Sequence, residues 1–137
     1  MSKTRQSRCS VVYWVPVVLW MGVIFYFSSR TSGELGDLLP LVLLPELQWG
    51  HLGEYLILGV FSYFALSRTV RGNPNLWAIL ICLAYGVTDE WHQSFVPTRA
   101  VEGGDLIMDL VGAIIGVVLI LLWKRIRSLK RLEESGC

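Results

Sequence analysis

Four long apolar segments constrain the fold of this chain more than any other feature. They lie near residues 11–29, 51–68, 75–93 and 105–123, and each approaches the roughly 20 residues with which a helix crosses about 30 Å of hydrocarbon. A segment inside lipid must satisfy its own backbone hydrogen bonds, and the alternating pattern of barrel strands does not occur in them. We therefore predict an all-α membrane protein, a bundle of four transmembrane helices formed by residues 11–123.

Lysine and arginine are distributed unevenly between the two ends of these segments. Only Arg30 and Arg99 lie on one side. The other side carries Lys3, Arg5, Arg8, Arg68, Arg71, Lys124, Arg125, Arg127, Lys130 and Arg131. By the positive-inside rule the basic side is cytoplasmic. The prediction is N-in and C-in, with cytoplasmic tails at 1–10 and 124–137 and a longer apolar extracytoplasmic loop at 31–50, between the first two helices.

Ionisable side chains occupy two levels in the outer half of the predicted bundle. With a rise of about 1.5 Å per residue, Glu54, Asp89 and Asp109 all lie about 21 Å above the cytoplasmic ends of their helices. The level above contains His51, His92, Asp105, Ser28 and Ser29. Ionisable groups at such depth are unfavourable in lipid and face a bundle interior or a wet cavity. We predict an outward-facing polar pocket that is closed at its cytoplasmic end.

The spacing of these residues supports their convergence. Two helices repeat the spacing i, i+3 and i+4, which places three polar side chains on one face. These sets are His51, Glu54 and Tyr55, and Asp89, His92 and Gln93. In the last segment Asp105 and Asp109 continue into Gly112 and Gly116, a spacing of small residues that lets another helix approach. The alternative is that polar residues merely mark helix ends at the membrane interface.

Several stretches of the chain resemble the VanZ-like family. They are WMGVIFYFSS, HLGEY, YGVTDEWHQSFVPTR and GGDLIMDLVGAIIG, and the resemblance runs from about Trp20 to Gly116. Two departures stand out, since family members commonly have a basic residue where this chain has residues 48–50, and a glycine where it has Thr98. The resemblance implies that the polar residues of the family pattern are Ser28, Ser29, His51, Glu54, Tyr55, Asp89, Glu90, His92, Gln93, Arg99, Asp105 and Asp109.

The resemblance also implies a multi-pass protein of the bacterial inner (cytoplasmic) membrane, because family members are widespread in bacteria and the namesake is linked to teicoplanin resistance. The expected function is an action at the cell envelope on or near a polar lipid or a cell-wall precursor. Expected partners are membrane lipid and a lipid-linked cell-wall precursor or a glycopeptide, and no nucleic acid. Candidate catalytic residues are His51, Glu54, Asp89, Glu90, His92 and Asp109. Candidate ligand-binding residues are Ser28, Ser29, Tyr55, Gln93, Arg99 and Asp105.

Three other functions remain open at the level of sequence. A metal-dependent membrane hydrolase or transferase would use a divalent metal, because the i, i+3 spacing of His and carboxylate resembles that of di-metal bundles. The candidate ligands are His51, Glu54, Asp89 and His92. A small transporter or proton relay would use the same intramembrane groups. A non-catalytic partner protein would use none of them for chemistry.

Overall fold

Four α-helices account for most of the residues that the structure describes. This computed structural model describes residues 11–31, 34–35, 47–99 and 103–135. Within these residues the chain forms α1 (Val15–Ser28), α2 (Leu47–Thr69), α3 (Pro74–Gln93) and α4 (Gly103–Ser135), and no strand. The predicted all-helical class with four helices is confirmed. The predicted tail at 1–10 and residues 36–46 of the predicted outer loop lie outside the described residues.

The starts of α1 and α3 follow local sequence signals. A proline stands in the first turn of each helix, where its missing N–H removes no helical hydrogen bond. At α3 the Asn73 side chain also caps the helix, accepting hydrogen bonds from the backbone of Asn75 at 3.1 Å and Leu76 at 3.5 Å. Gly72, just before this cap, has a φ of 147°, a conformation that residues with a Cβ rarely adopt. The short turn between α2 and α3 is therefore specified by adjacent residues.

Helix α4 is longer than the sequence prediction, with 33 residues. The predicted basic tail after residue 123 continues the helix to Ser135. The reason is that Lys, Arg, Leu and Glu in this stretch all favour helix, and no Gly or Pro occurs before Gly136. The end of the apolar pattern therefore did not mark the end of the helix.

Among the described helices, one is both long and apolar enough to cross a membrane. This segment, Gly103–Glu133, belongs to α4. Of its most apolar stretch of 18 residues, 33% is buried against the rest of the protein. Helix α1 is apolar but has 14 residues. Helices α2 and α3 have 23 and 20 residues, but they carry the ionisable residues of the predicted pocket, which lower their hydropathy. A four-span bundle is therefore not established by helix length and composition alone.

The closest packing in the described bundle joins α2 to α4. These helices run in the same direction, since Lys124 of α4 donates to the hydroxyl of Tyr63, late in α2, at 2.8 Å. A Cβ added to Gly112 would collide with the carbonyl oxygen of Leu52. One added to Gly116 would likewise collide with the carbonyl oxygen of Leu56. The small residues therefore set the distance between the two backbones, as their spacing indicates.

Helix α1 lies against α2 and α3 and buries little of its own surface. Its fully buried side chains are Val17, Ile24 and Ser28. Two hydrogen bonds fix its middle: Trp20 Nε1 donates to the carbonyl of Glu54 at 2.8 Å, and the Tyr85 hydroxyl donates to the carbonyl of Met21 at 2.6 Å. These bonds therefore add to the apolar contacts that Val17 and Ile24 make in the core.

Candidate functional site

Buried polar side chains from all four helices meet at one end of the bundle. The end of α1, the start of α2, the end of α3 and the start of α4 lie together there. The polar cluster, as we name this set, consists of Ser28, His51, Asp89, Glu90, Gln93, Asp105 and Asp109. Its members lie far from one another in sequence and are joined by the fold. An up-and-down order of helices is what brings alternate helix ends to one place.

His51 of α2 and Asp109 of α4 form the central pair of the polar cluster. His51 Nδ1 lies 3.0 Å from Asp109 Oδ1, and His51 Nε2 lies 3.8 Å from Asp105 Oδ2. The imidazole therefore hydrogen-bonds one carboxylate and faces a second beyond hydrogen-bond distance. The ring of Tyr55, one turn along α2, stacks on His51 with centroids 6.5 Å apart. A histidine held this way has a fixed ring orientation, a property that proton transfer and ligand orientation both require.

Gly86 on α3 provides the space that the Asp109 carboxylate occupies. A Cβ at position 86 would lie 2.7 Å from Asp109 Oδ2 and 3.1 Å from Leu106 Cδ1. Glycine is unfavourable inside a helix by about 0.5–1 kcal/mol relative to alanine, so its use there indicates a close approach. Sequence reasoning missed this residue, although a glycine three positions before a candidate aspartate was a usable signal.

Asp89 of α3 is bound by Ser28 of α1 and by Gln93 one turn further along α3. The Ser28 hydroxyl donates to Asp89 Oδ2 at 2.8 Å, and Gln93 Nε2 donates to the same oxygen at 3.1 Å. Gln93 Nε2 also lies 3.4 Å from the Ser28 oxygen. Ser28 therefore connects α1 to the carboxylate, and its proton is already engaged.

Glu90 and Glu54 complete the acidic character of the site. Glu90 is buried, and its carboxylate interacts electrostatically with Asp105, His51 and Asp109. Glu54 is half-buried on α2 and interacts electrostatically with His51 and Asp109. The structure thus brings the candidate catalytic residues Glu54 and Glu90 next to the central pair.

His92 and Ser29 lie beside the polar cluster and are more exposed. Ser29 Oγ is 2.9 Å from His92 Nε2 and also donates to the carbonyl of Phe25 at 2.7 Å. Because the single hydroxyl proton of Ser29 is directed at that carbonyl, its oxygen accepts from the imidazole N–H. The pair is therefore not arranged as a nucleophile and its base. His92 also contacts the Phe25 ring, with centroids 4.5 Å apart.

Arg99 holds the end of α1 instead of pointing freely outward. Its Nε donates to the carbonyl of Arg30 at 3.2 Å, and its Nη2 donates to the carbonyl of Phe27 at 3.3 Å. A cation at these carbonyls also complements the negative end of the helix dipole. Burial lowers the pKa of this guanidinium, and the nearby carboxylates of Asp105 and Asp89 act in the opposite direction. The preceding residue, Thr98, has a φ of 68°, a region that suits the glycine common at this position in the VanZ-like pattern.

Three of the four candidate metal ligands take different hydrogen-bond partners. His51 pairs with Asp109, Asp89 with Ser28 and Gln93, and His92 with Ser29. Among the described residues, no three His, Cys, Asp or Glu side chains are grouped so that they could hold a metal ion. The spacing i, i+3 placed a His and a carboxylate on one helix face but did not bring four ligands to one point.

Comparison with known proteins gives a family and no individual relative. A search of curated proteins and a search of solved structures each return no match for the chain. The VanZ/LLP1 family profile matches residues 13–124, which include all four described helices up to the basic part of α4. The matched range also contains every residue of the polar cluster. The chain therefore belongs to the VanZ/LLP1 family.

Proposed function

We propose that this VanZ/LLP1 protein crosses the bacterial cytoplasmic membrane four times, with both ends in the cytoplasm, and that its polar cluster is an outward-facing pocket for the polar part of a lipid or a cell-wall precursor. The observation that carries the proposal is the burial of polar side chains from all four helices at one end of the bundle, away from the basic end. Lipid headgroups lie at that depth if the apolar parts of the helices span the membrane.

The outer surface of the helices supports membrane insertion of more than α4. Large apolar side chains of α1 and α3 are exposed, whereas the carboxylates of α3, Asp89 and Glu90, are buried. Examples of the exposed side chains are Val18, Leu19, Leu80 and Val87. A continuous exposed apolar surface is rare in soluble monomers and is ordinary for helices in lipid. Buried residues such as His51, Asp89 and Glu90 therefore account for part of the low hydropathy of α2 and α3.

Cations and aromatic rings at the opposite end support the proposed orientation. Arg68 lies over the ring of Tyr13 at 5.5 Å, Lys124 over Tyr63 at 4.6 Å, and Arg127 over Trp123 at 4.5 Å. Basic residues mark the cytoplasmic side, and aromatic residues concentrate at the membrane interface. This end therefore suits the cytoplasmic headgroup region, which leaves the polar cluster on the outer side.

Single-cysteine labelling tests the topology. Cys9, Cys82 and Cys137 are replaced by serine, and one cysteine is introduced in the α2–α3 turn (Arg71→Cys) or after α3 (Phe95→Cys). A membrane-impermeant maleimide applied to intact spheroplasts is expected to label the second variant only, and both after permeabilisation. Equal labelling in intact cells, or the reverse pattern, would overturn the proposed orientation.

Lipid retention tests the pocket. Purified wild-type protein is compared with the double variant Asp89→Asn, Glu54→Gln and with a control, Glu133→Gln, at the opposite end of α4. We expect mass spectrometry to find a retained polar lipid on wild type and control and a loss of at least about tenfold on the double variant, as losing one charge-assisted hydrogen bond predicts. Equal retention by all three would overturn the pocket.

Teicoplanin susceptibility of cells with and without the gene tests the proposed link to the cell envelope.

A further inference from the structure

We propose that the polar cluster recognises a primary ammonium group, and that the part of a headgroup that enters it is an amine and not a phosphate. This inference rests on the proposed headgroup pocket and adds the chemical class of its ligand. It follows from the balance of hydrogen-bond donors and acceptors among the buried side chains.

The polar cluster contains buried oxygen atoms that have no hydrogen-bond partner among the described residues. They are Asp89 Oδ1, Asp109 Oδ2, Gln93 Oε1 and both carboxylate oxygens of Glu90. These side chains are 3%, 0%, 1% and 7% exposed, respectively. Buried polar atoms are nearly always paired, so several unpaired atoms in one place indicate that an additional group completes the site. The Gln93 amide oxygen and the oxygens of an ionised carboxylate only accept, so a group that pairs with them must donate.

Apart from the Tyr55 hydroxyl and His51 Nε2, which faces Asp105 at 3.8 Å, the side-chain donors of the site are already engaged. His51 Nδ1 bonds Asp109, and both the Ser28 hydroxyl and Gln93 Nε2 bond Asp89. The Tyr55 hydroxyl is buried and unpaired among the described residues, and it both donates and accepts. A phosphate would bring further acceptors to a place where acceptors are already in excess.

The charges lead to the same conclusion. Asp89, Glu90, Asp105 and Asp109 lie in the polar cluster with Glu54 beside it. The two outer arginines have partners other than these carboxylates: Arg99 bonds the last carbonyls of α1 and acts on Asp105 and Asp89 through its charge, and Arg30 lies 3.8 Å from Glu34. A cationic ligand would therefore gain charge-assisted hydrogen bonds, whereas an anionic ligand would meet carboxylates.

The arrangement favours an ammonium over a bare metal ion. The unpaired oxygens belong to side chains on α3 and α4, and no three His, Cys, Asp or Glu side chains of the described residues are grouped to hold a metal. A primary ammonium carries three N–H donors on a carbon stem, and its donors diverge toward separate acceptors. This geometry suits unpaired oxygens that belong to four different side chains on two helices.

Nanodiscs of defined composition test the inference with three phospholipids of identical acyl chains. Phosphatidylethanolamine has three N–H donors, phosphatidylcholine keeps the positive charge without them, and phosphatidylglycerol keeps the phosphate without the amine. We expect native mass spectrometry to find phosphatidylethanolamine retained about tenfold over the other two by wild-type protein, as one charge-assisted hydrogen bond would produce. A further control changes the lipid and not the protein. We expect wild-type protein to retain N-acetylated phosphatidylethanolamine as poorly as phosphatidylglycerol.

A variant pair connects the preference to the proposed atoms. Glu90→Gln is expected to lower the retention of phosphatidylethanolamine to that of phosphatidylcholine, and Glu133→Gln is expected to leave it unchanged. Equal retention of all three lipids by wild type, lost together in Asp89→Asn, Glu54→Gln, would overturn the ammonium inference and support the headgroup pocket. Retention of no lipid, with saturable binding of free ethanolamine, would support an ammonium site and overturn the lipid. If the protein retained no lipid and bound no free ethanolamine, both the ammonium inference and the headgroup pocket would be overturned.

Discussion

His51 and Asp109 lie 58 positions apart in the sequence and form a buried hydrogen bond of 3.0 Å at the centre of the polar cluster. The bond joins the start of α2 to α4 across the same interface that Gly112 and Gly116 bring close. Removing either partner leaves the other in a low-dielectric interior, where an unpaired polar group is unfavourable. Stability and site geometry are therefore coupled at this pair.

A double-mutant cycle measures that coupling. We expect His51→Gln and Asp109→Asn each to lower the free energy of unfolding in detergent, and the double variant to lose less than the sum by about 1–3 kcal/mol. The readout is denaturant unfolding followed by tryptophan fluorescence. A cycle between His51→Gln and Glu133→Gln serves as the control and should be additive. An additive result for the first cycle would contradict an energetic role for the hydrogen bond.

Gly116 tests the close approach of α2 and α4. A methyl group at this position collides with the backbone of Leu56, so we expect Gly116→Ala to destabilise the protein by about 1–3 kcal/mol, the usual range for overpacking. In α1, a Cβ at Gly22 has nothing within 4 Å. Gly22→Ala is therefore the matched control and should be neutral or stabilising by up to about 1 kcal/mol. Thermal unfolding measures both, and equal effects would contradict the packing argument.

Thr98 is expected to be a strained position. Its φ of 68° is unfavourable for a β-branched residue, so Thr98→Gly should stabilise the protein by about 1 kcal/mol, since αL backbone strain of a non-glycine residue lies at about 1–3 kcal/mol. Thr88→Gly, in the regular part of α3, is the control and should destabilise by roughly 0.5 kcal/mol, because glycine favours helix less and the bond of the Thr88 hydroxyl to the Tyr85 carbonyl at 2.7 Å is lost. Relative to wild type, the melting temperature should rise in Thr98→Gly and fall in Thr88→Gly. A fall in both variants would contradict strain at Thr98.

Arg99 is expected to order the end of α1. Its two hydrogen bonds reach the carbonyls of Arg30 and Phe27, the second of which also accepts from the Arg30 N–H at 3.1 Å, and lysine has no planar fork to span both. In Arg99→Lys we expect the amides of Ser29 and Arg30 to exchange hydrogen about tenfold faster, equivalent to the loss of one charge-assisted hydrogen bond. Arg71→Lys, in the exposed turn between α2 and α3, is the control. Unchanged protection at Ser29 and Arg30 would show that Arg99 does not hold the helix end.

Glu34 provides a test by titration outside the four helices α1 to α4. Its carboxylate accepts hydrogen bonds from the Thr31 backbone N–H at 3.0 Å and the Thr31 hydroxyl at 3.1 Å, which lower its pKa below the ordinary 4.5. A carboxyl whose pKa is lower in the folded state stabilises that state above its unfolded pKa, and the contribution is lost as the pH falls through the folded pKa. NMR titration should show the pKa rising in Thr31→Ala and staying low in Thr31→Ser. Identical values in the two variants would contradict a role for the hydroxyl.

Helix number and the composition of the polar cluster followed from local patterns, but its pairing did not. A proline such as Pro16 and a cap such as Asn73 act within one turn, so sequence alone exposes them. The spacing of His51 and Glu54 fixes a shared helix face, yet the nearest carboxylate to His51 belongs to Asp109 on another helix. The partner depends on how closely the helices approach, which glycines such as Gly86 determine only once the neighbouring helix is known.

The hydrogen bond that attaches α1 at Ser28 involves a residue of the proposed ligand site. Ser28 holds this helix through a bond to Asp89, which is also a proposed contact of the ligand. The ligand is proposed to bind Asp89 Oδ1, whereas Ser28 bonds Oδ2, so a small molecule that took both oxygens of this carboxylate would displace Ser28 and loosen α1 from its neighbours. Compounds directed at this pocket would then act as pharmacological destabilisers, and their potency would be visible as faster protease cleavage of α1 at concentrations that leave α4 intact.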